Sequence, residues 1–269
     1  MKIFLVLVNV FLGCLAAPNG WIIGGDNAAP GEFPHMLSLQ WHFIDIRRHN
    51  CGASIINEWW ALTAAHCITE TVIEHGGTLS VIAGAWDFRE PTEFQQEVAV
   101  ERFVNHPLYP GGGVVAPHDI GVMRLAEPLI FNDRVKPVVF PVPNTLATGT
   151  GVFSGWGNIQ SDPPAVFPYI LQRADMPILT MSECHDTLIQ FGASHLLNLD
   201  GDICTGPLTG GLSACSADSG SPLGQWDGDD FIQHGVAAWT IFPCGRVGAP
   251  TVHARVAAYI DWINENIAD

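Results

Sequence analysis

The chain has 269 residues, 27 of them acidic against 11 lysines and arginines, for a formal net charge of −16. Its length suits one large domain or two of ordinary size. So few cations argue against a nucleic-acid partner, because phosphate binding needs clustered lysine and arginine; the acidity suits a freely soluble protein, or one working in a digestive lumen at non-acidic pH.

Residues 1–17 read as a secretory signal: Lys2 heads a short apolar run, Ile3 to Leu15, and small residues follow. The run is too short to span a bilayer comfortably. Pro18 disfavours cleavage just before it, so the expected signal is residues 1–16. No other stretch reaches spanning length without charges, glycine or proline. The expected mature protein is soluble, secreted and extracellular, with no membrane partner. It carries no Asn-x-Ser/Thr sequon.

Further along, the apolar runs are short and β-rich: Ile55-Ile56, Leu79 to Ile82, Val135 to Val139, Val152-Phe153 and Gly235 to Trp239. Glycine and proline separate them, a pattern that predicts an all-β barrel or sandwich. Helical spacing occurs only near the end, where Val256, Tyr259, Ile260, Ile263 and Ile267 predict an amphipathic helix.

Of seven cysteines, Cys14 falls in the signal, and the remaining six form an even set that suggests three disulfides in an oxidising compartment. Counting alone leaves their pairing open. The spacings that mark zinc sites are absent, so no metal and no cofactor is expected.

Three segments carry chemistry. Cys215-Ser216-Ala217-Asp218-Ser219-Gly220-Ser221-Pro222 places a serine in a tight turn, Thr63 to Cys67 offers His66, and His118 to Leu125 offers Asp119 at the head of an apolar strand. A serine hydroxyl is a poor nucleophile until a base takes its proton. Histidine is such a base, and a buried carboxylate fixes its tautomer. The order His, Asp, Ser excludes an esterase of the α/β-hydrolase type, which runs serine, acid, histidine.

These motifs resemble the chymotrypsin/trypsin family of serine endopeptidases, and the resemblance runs from Ile22 to the C-terminus. It implies two six-stranded antiparallel β-barrels, at about 22–130 and 131–255, with the active site between them and a C-terminal helix at about 256–268. It implies the disulfides Cys51–Cys67, Cys184–Cys204 and Cys215–Cys244. It makes His66 the base, Asp119 its orienter and Ser219 the nucleophile. The oxyanion hole falls to the amides of Ala217 and Ser219, with alanine at 217 where the family nearly always has glycine. Ile22-Ile23-Gly24-Gly25 resembles the family's mature amino terminus, whose freed amine pairs with the acid before the nucleophile, here Asp218. Residues 17–21 would then be a propeptide. Trp21 stands where relatives have Arg or Lys, which implies a chymotrypsin-like activating protease.

The resemblance gives Ser213 the base position of the specificity pocket, where it supplies no carboxylate for a basic side chain. Thr240 and Thr251 stand where glycines often leave the pocket open, and Trp239 forms a flat wall. That set resembles the elastases, which favour small aliphatic residues before the scissile bond. A chymotrypsin-like preference stays open if the threonines merely pack, as does a silent homologue that works by binding. The implied partners are protein or peptide substrates and protein protease inhibitors, and the implied state is a monomer.

Overall fold

The computed structural model describes residues 22–69, 76–111 and 115–268. The expected signal and propeptide, with Cys14 and Trp21, lie outside them. In chain order come β1 Asp26–Asn27, β2 Met36–Phe43, β3 Ile46–Ile55, β4 Trp60–Thr63, α1 Ala65–Ile68, β5 Thr78–Ala83, β6 Gln96–Asn105 and β7 Gly121–Leu125. There follow β8 Thr150–Gly155, β9 Gln172–Leu179, α2 Met181–Gln190, β10 Asp202–Thr205, β11 Pro222–Asp227, β12 Asp230–Thr240, β13 Thr251–Arg255 and α3 Val256–Asn266.

Strands β2-β3-β4-β7-β6-β5 close into a six-stranded antiparallel barrel. A second barrel, β9-β10-β13-β12-β11-β8, closes because β8 pairs with both β11 and β9. Strand alternation builds the interiors. On β2, Leu37, Leu39 and Trp41 enter the first barrel, while Met36 packs with Phe33, Trp156 and Phe231 in a separate cluster at the seam. Phe153, Met176, Ile203 and Leu223 fill the second barrel. Each such side chain contributes about 1.5–3 kcal/mol on burial.

Two segments cross between the halves. β1 pairs with β9, so the amino-terminal segment attaches to the second barrel, although the sequence reading grouped it with the first. In the other direction, α3 leaves the second barrel and lays Val256, Tyr259, Ile260 and Ile263 on the core of the first.

Two elements differ from expectation. Val135 to Val139 forms no strand; only isolated bridges occur, at Val135 and Val139. Pro137 has no N–H to give a ladder. α2 was not foreseen. Thr180 caps it, accepting the Glu183 N–H at 3.2 Å while Glu183 Oε2 accepts the Thr180 N–H at 2.9 Å. No helix among the described residues is long and apolar enough to cross a membrane.

The disulfides are Cys51–Cys67, Cys184–Cys204 and Cys215–Cys244, which bridge 16, 20 and 29 residues of sequence. Each contributes ~3 kcal/mol by restricting the unfolded chain.

Candidate active site

β4 ends at Thr63, and the one-turn α1 presents His66 at the cleft. Asp119 engages it twice. The His66 N–H donates to Asp119 Oδ1 at 2.9 Å, and His66 Nδ1 lies 2.6 Å from Oδ2. A carboxylate accepts only, so Nδ1 carries the proton of this contact. The side chains are 20 % and 7 % exposed, which leaves the imidazole reachable and the carboxylate shielded.

The turn that carries Ser219 is held by two short hydrogen bonds, Asp218 N–H to Cys215 O and Ser221 N–H to Asp218 O, both 3.0 Å. Ser219 O accepts the Gly52 N–H at 2.8 Å, and Thr63 Oγ1 donates to Gly52 O at 2.8 Å. The two barrels meet closely here. Gly220 has φ +80°, and a Cβ there would lie 2.2 Å from both Gly52 O and Thr63 Oγ1. Only glycine fits that approach. Through it, the segment bearing His66 and the turn bearing Ser219 are fixed against each other.

Ala217 adopts the left-handed backbone region, with φ +70°. Its carbonyl accepts a hydrogen bond from His49 Nε2 at 3.1 Å, and Ser38 Oγ lies 2.7 Å from His49 Nδ1. Burial pushes the His49 pKa down to about 4, so the ring is neutral, and with Nε2 donating to Ala217 O its Nδ1 accepts from Ser38 Oγ. Among the described residues, neither the Ala217 nor the Ser219 amide donates to a protein acceptor.

Asp218 is fully buried, its two oxygens accepting the Gly157 N–H at 2.8 Å and the Cys215 N–H at 3.0 Å. Burial pushes its carboxyl up to about 7. No cationic side chain pairs with it among the described residues. Ile22 is also fully buried, against Phe153 and Ala214, and Ser213 donates its N–H to Ile23 O at 3.1 Å.

Beside Ser219 opens a cavity of about 300 Å³ with Trp239 on one wall and no acid in its lining. Ser213, Thr240 and Thr251 converge beneath it. Thr251 Oγ1 is 3.1 Å and Thr240 Oγ1 is 3.3 Å from Ser213 Oγ, and Thr240 also donates to Pro250 O at 3.0 Å. One group of metal-type ligand atoms occurs among the described residues, Cys51, His66 and Cys67, and its two sulfurs are joined in a disulfide.

The structure sets His66 against Asp119, holds the Ser219 turn on the segment that leads to His66, and places Ser213 beside Thr240 and Thr251; His49 is a further residue at the Ser219 turn. His49 carried no sequence signal. It pairs with Gln40 while Cys51 pairs with Leu39, so a bulge at Asn50 breaks the alternation of β3.

The Trypsin family model matches residues 22–263. The chain is 34 % identical over 245 residues to Trypsin-1 of Astacus astacus, covering 91 % of this chain and 99 % of that one. It is 33 % identical over 252 residues to fibrinolytic enzyme, isozyme C, of Lumbricus rubellus, covering 91 % and 99 %. To chymotrypsin-like elastase family member 1 of Homo sapiens it is 30 % identical over 257 residues, covering 94 % and 95 %. With two barrels around such a site, and relatives matched over nearly their whole length, the chain belongs to the trypsin family and is a serine endopeptidase.

Proposed function

We propose that this chain is the zymogen of a secreted, extracellular, elastase-like endopeptidase. Ser219 Oγ attacks the scissile carbonyl while His66 Nε2 takes its proton. Asp119 keeps the histidine in the tautomer that accepts that proton and stabilises the imidazolium. The amides of Ala217 and Ser219 receive the oxyanion. His66 gives the proton to the departing amine, leaving an acyl-Ser219. Water, deprotonated by His66, then attacks that acyl group, and the proton returns to Ser219 as the acid leaves.

Cleavage after Trp21 by a chymotrypsin-like protease would free the Ile22 amine to pair with Asp218. Two facts support this: Ile22 is buried, and Asp218 lies in the interior without a cationic side chain. Sequencing the amino terminus of the natural active enzyme tests it; a start other than Ile22 would sink it.

The preference rests on one observation, the convergence of the Thr240 and Thr251 hydroxyls on Ser213. Two β-branched side chains there shorten the pocket, and no carboxylate offsets a basic residue. Small aliphatic residues such as Ala and Val fit that shape. The test is turnover of peptidyl p-nitroanilides ending in Ala, Val, Leu, Phe or Arg, by protein beginning at Ile22, with Ser219→Ala as the control. Fast Ser219-dependent cleavage after Ala or Val is expected. A preference for Phe would support a chymotrypsin-like pocket instead. No cleavage of any would favour a silent homologue, for which the alanine at 217 is the motivating feature. The working form would be a monomer acting on protein or peptide substrates and answering to protein protease inhibitors.

A further inference from the structure

A second and larger cleft, about 760 Å³, adjoins the Ser219 turn at Ala217 and shares no lining residue with the small cavity. The acyl half of a substrate occupies the small cavity beside Ser219, so the leaving half must run the other way, past Ala217 and into this cleft. One wall comes from the first barrel, where Arg47 and Arg48 stand on β3. The other is aromatic. Trp156 and Phe88 stack at 4.9 Å between ring centres, and Phe167 and Tyr169 are 52 % and 59 % exposed at the rim.

The charge of this cleft opposes that of the molecule. Its lining contains two arginines and no aspartate or glutamate, in a chain with 27 acids against 11 cations. Arg47 is paired with Glu97 at 2.7 Å. Arg48 lies over the Trp41 ring at 4.9 Å and has no carboxylate partner among the described residues. A third guanidinium, Arg89, lies over Tyr169 at 5.2 Å and lines the adjoining cavity of about 340 Å³, but Asp87 already takes its edge, at 2.5 Å. Held on the Trp41 ring, Arg48 is the guanidinium of this cleft whose edge can meet a substrate carboxylate.

We propose that this cleft selects substrates carrying acidic residues within the first four positions after the scissile bond, with Arg48 as the chief determinant. The proposal rests on the endopeptidase reading above and adds a substrate class to it: peptide bonds followed by acidic segments. Arg48 is exposed, so its contact with a substrate carboxylate is modest and weakened by salt. The overall charge of −16 repels acidic chains at a distance, so the selection is local to the cleft.

The test uses two peptides identical up to the residue before the scissile bond and followed by either Asp-Glu or Asn-Gln at the second and third positions. Binding is measured to the Ser219→Ala protein beginning at Ile22, which needs no turnover. The Asp-Glu peptide is expected to bind about three- to fivefold tighter at low salt. Arg48→Gln should remove most of that ratio, and Arg48→Glu should invert it towards a Lys-Lys peptide. Equal affinities, or a ratio that Arg48→Glu leaves unchanged, would overturn the proposal. Peptidyl p-nitroanilide turnover by the Ser219 protein, whose substrate has no residues beyond the scissile bond, separately decides the endopeptidase reading.

Discussion

His49 Nε2 lies 3.1 Å from the carbonyl oxygen of Ala217, 168 residues away in the chain. That bond fixes one end of the peptide unit between Ala217 and Asp218, in the turn whose amides face the cleft. On the proposed mechanism, in which the neighbouring Ala217 and Ser219 amides receive the oxyanion, His49 acts as a positioning residue. Replacing it with Phe, which cannot donate, should lower kcat by about 10–100-fold with a smaller change in KM, since loss of one oxyanion donor costs on the order of 10²–10³. His49→Gln, which retains an N–H donor, should recover part of the loss. A change confined to KM would remove His49 from this role.

Ala217 holds φ +70°, where a Cβ costs about 1–2 kcal/mol. Glycine removes that strain but adds unfolded-state freedom worth roughly 0.5–1 kcal/mol. Ala217→Gly should therefore raise Tm by about 2 °C, with kcat equal or higher. A lower Tm in thermal unfolding would mean that the alanine is not strained.

Asp218 titrates near 3.8 when unfolded and near 7 in the fold, because burial disfavours its charge. Between those values the folded chain holds more protons than the unfolded one, so this group's contribution to stability is lost as pH rises through the window. Asp202, also pushed up to about 7, acts in the same direction. His35, His49 and His253, pushed down to about 3 or 4, act in the opposite one. Asp218→Asn isolates the first effect. At pH 8 the uncleaved variant should melt about 3 °C above its parent. At pH 4 the advantage should vanish or reverse, since the amide offers one acceptor oxygen to two N–H donors. A Tm difference independent of pH would contradict this assignment. Cleaved at Ile22, the same variant should lose most activity.

Thr240 and Thr251 close on Ser213 from two sides. Replacing both with glycine should deepen the pocket. Side-chain differences in such pockets are worth about 1–3 kcal/mol per methylene, so the kcat/KM ratio of Phe to Val substrates should rise at least about tenfold. An unchanged ratio would show that depth is set elsewhere.

The parts of this molecule that were legible in sequence are those written locally. His66, Asp119 and Ser219 sit in short segments of recognisable composition, and Ser213 lies a fixed six residues before Ser219. The helix at the end showed itself by spacing, because Val256, Tyr259, Ile260 and Ile263 all face one core. α2 offered a quieter signal, the Thr180-to-Glu183 capping box, with few apolar residues behind it. Residues 135–139 misled because apolar composition does not reveal that Pro137 breaks a ladder. His49 was hidden by the bulge at Asn50, and the attachment of β1 to β9 is a pairing across about 145 residues that no local pattern records.

The crossing of β1 and α3 makes the two barrels hostages of each other. Cut between β7 and β8, the amino-terminal fragment would keep Ile22 but lack the Phe153 and Ala214 surfaces that bury it. It would also expose the apolar face on which Val256, Tyr259, Ile260 and Ile263 rest. The carboxy-terminal fragment would carry that helix with nothing to cover. Neither fragment holds a complete interior, so the halves must melt and form together as a single cooperative unit. The cleft between them exists only when both are whole.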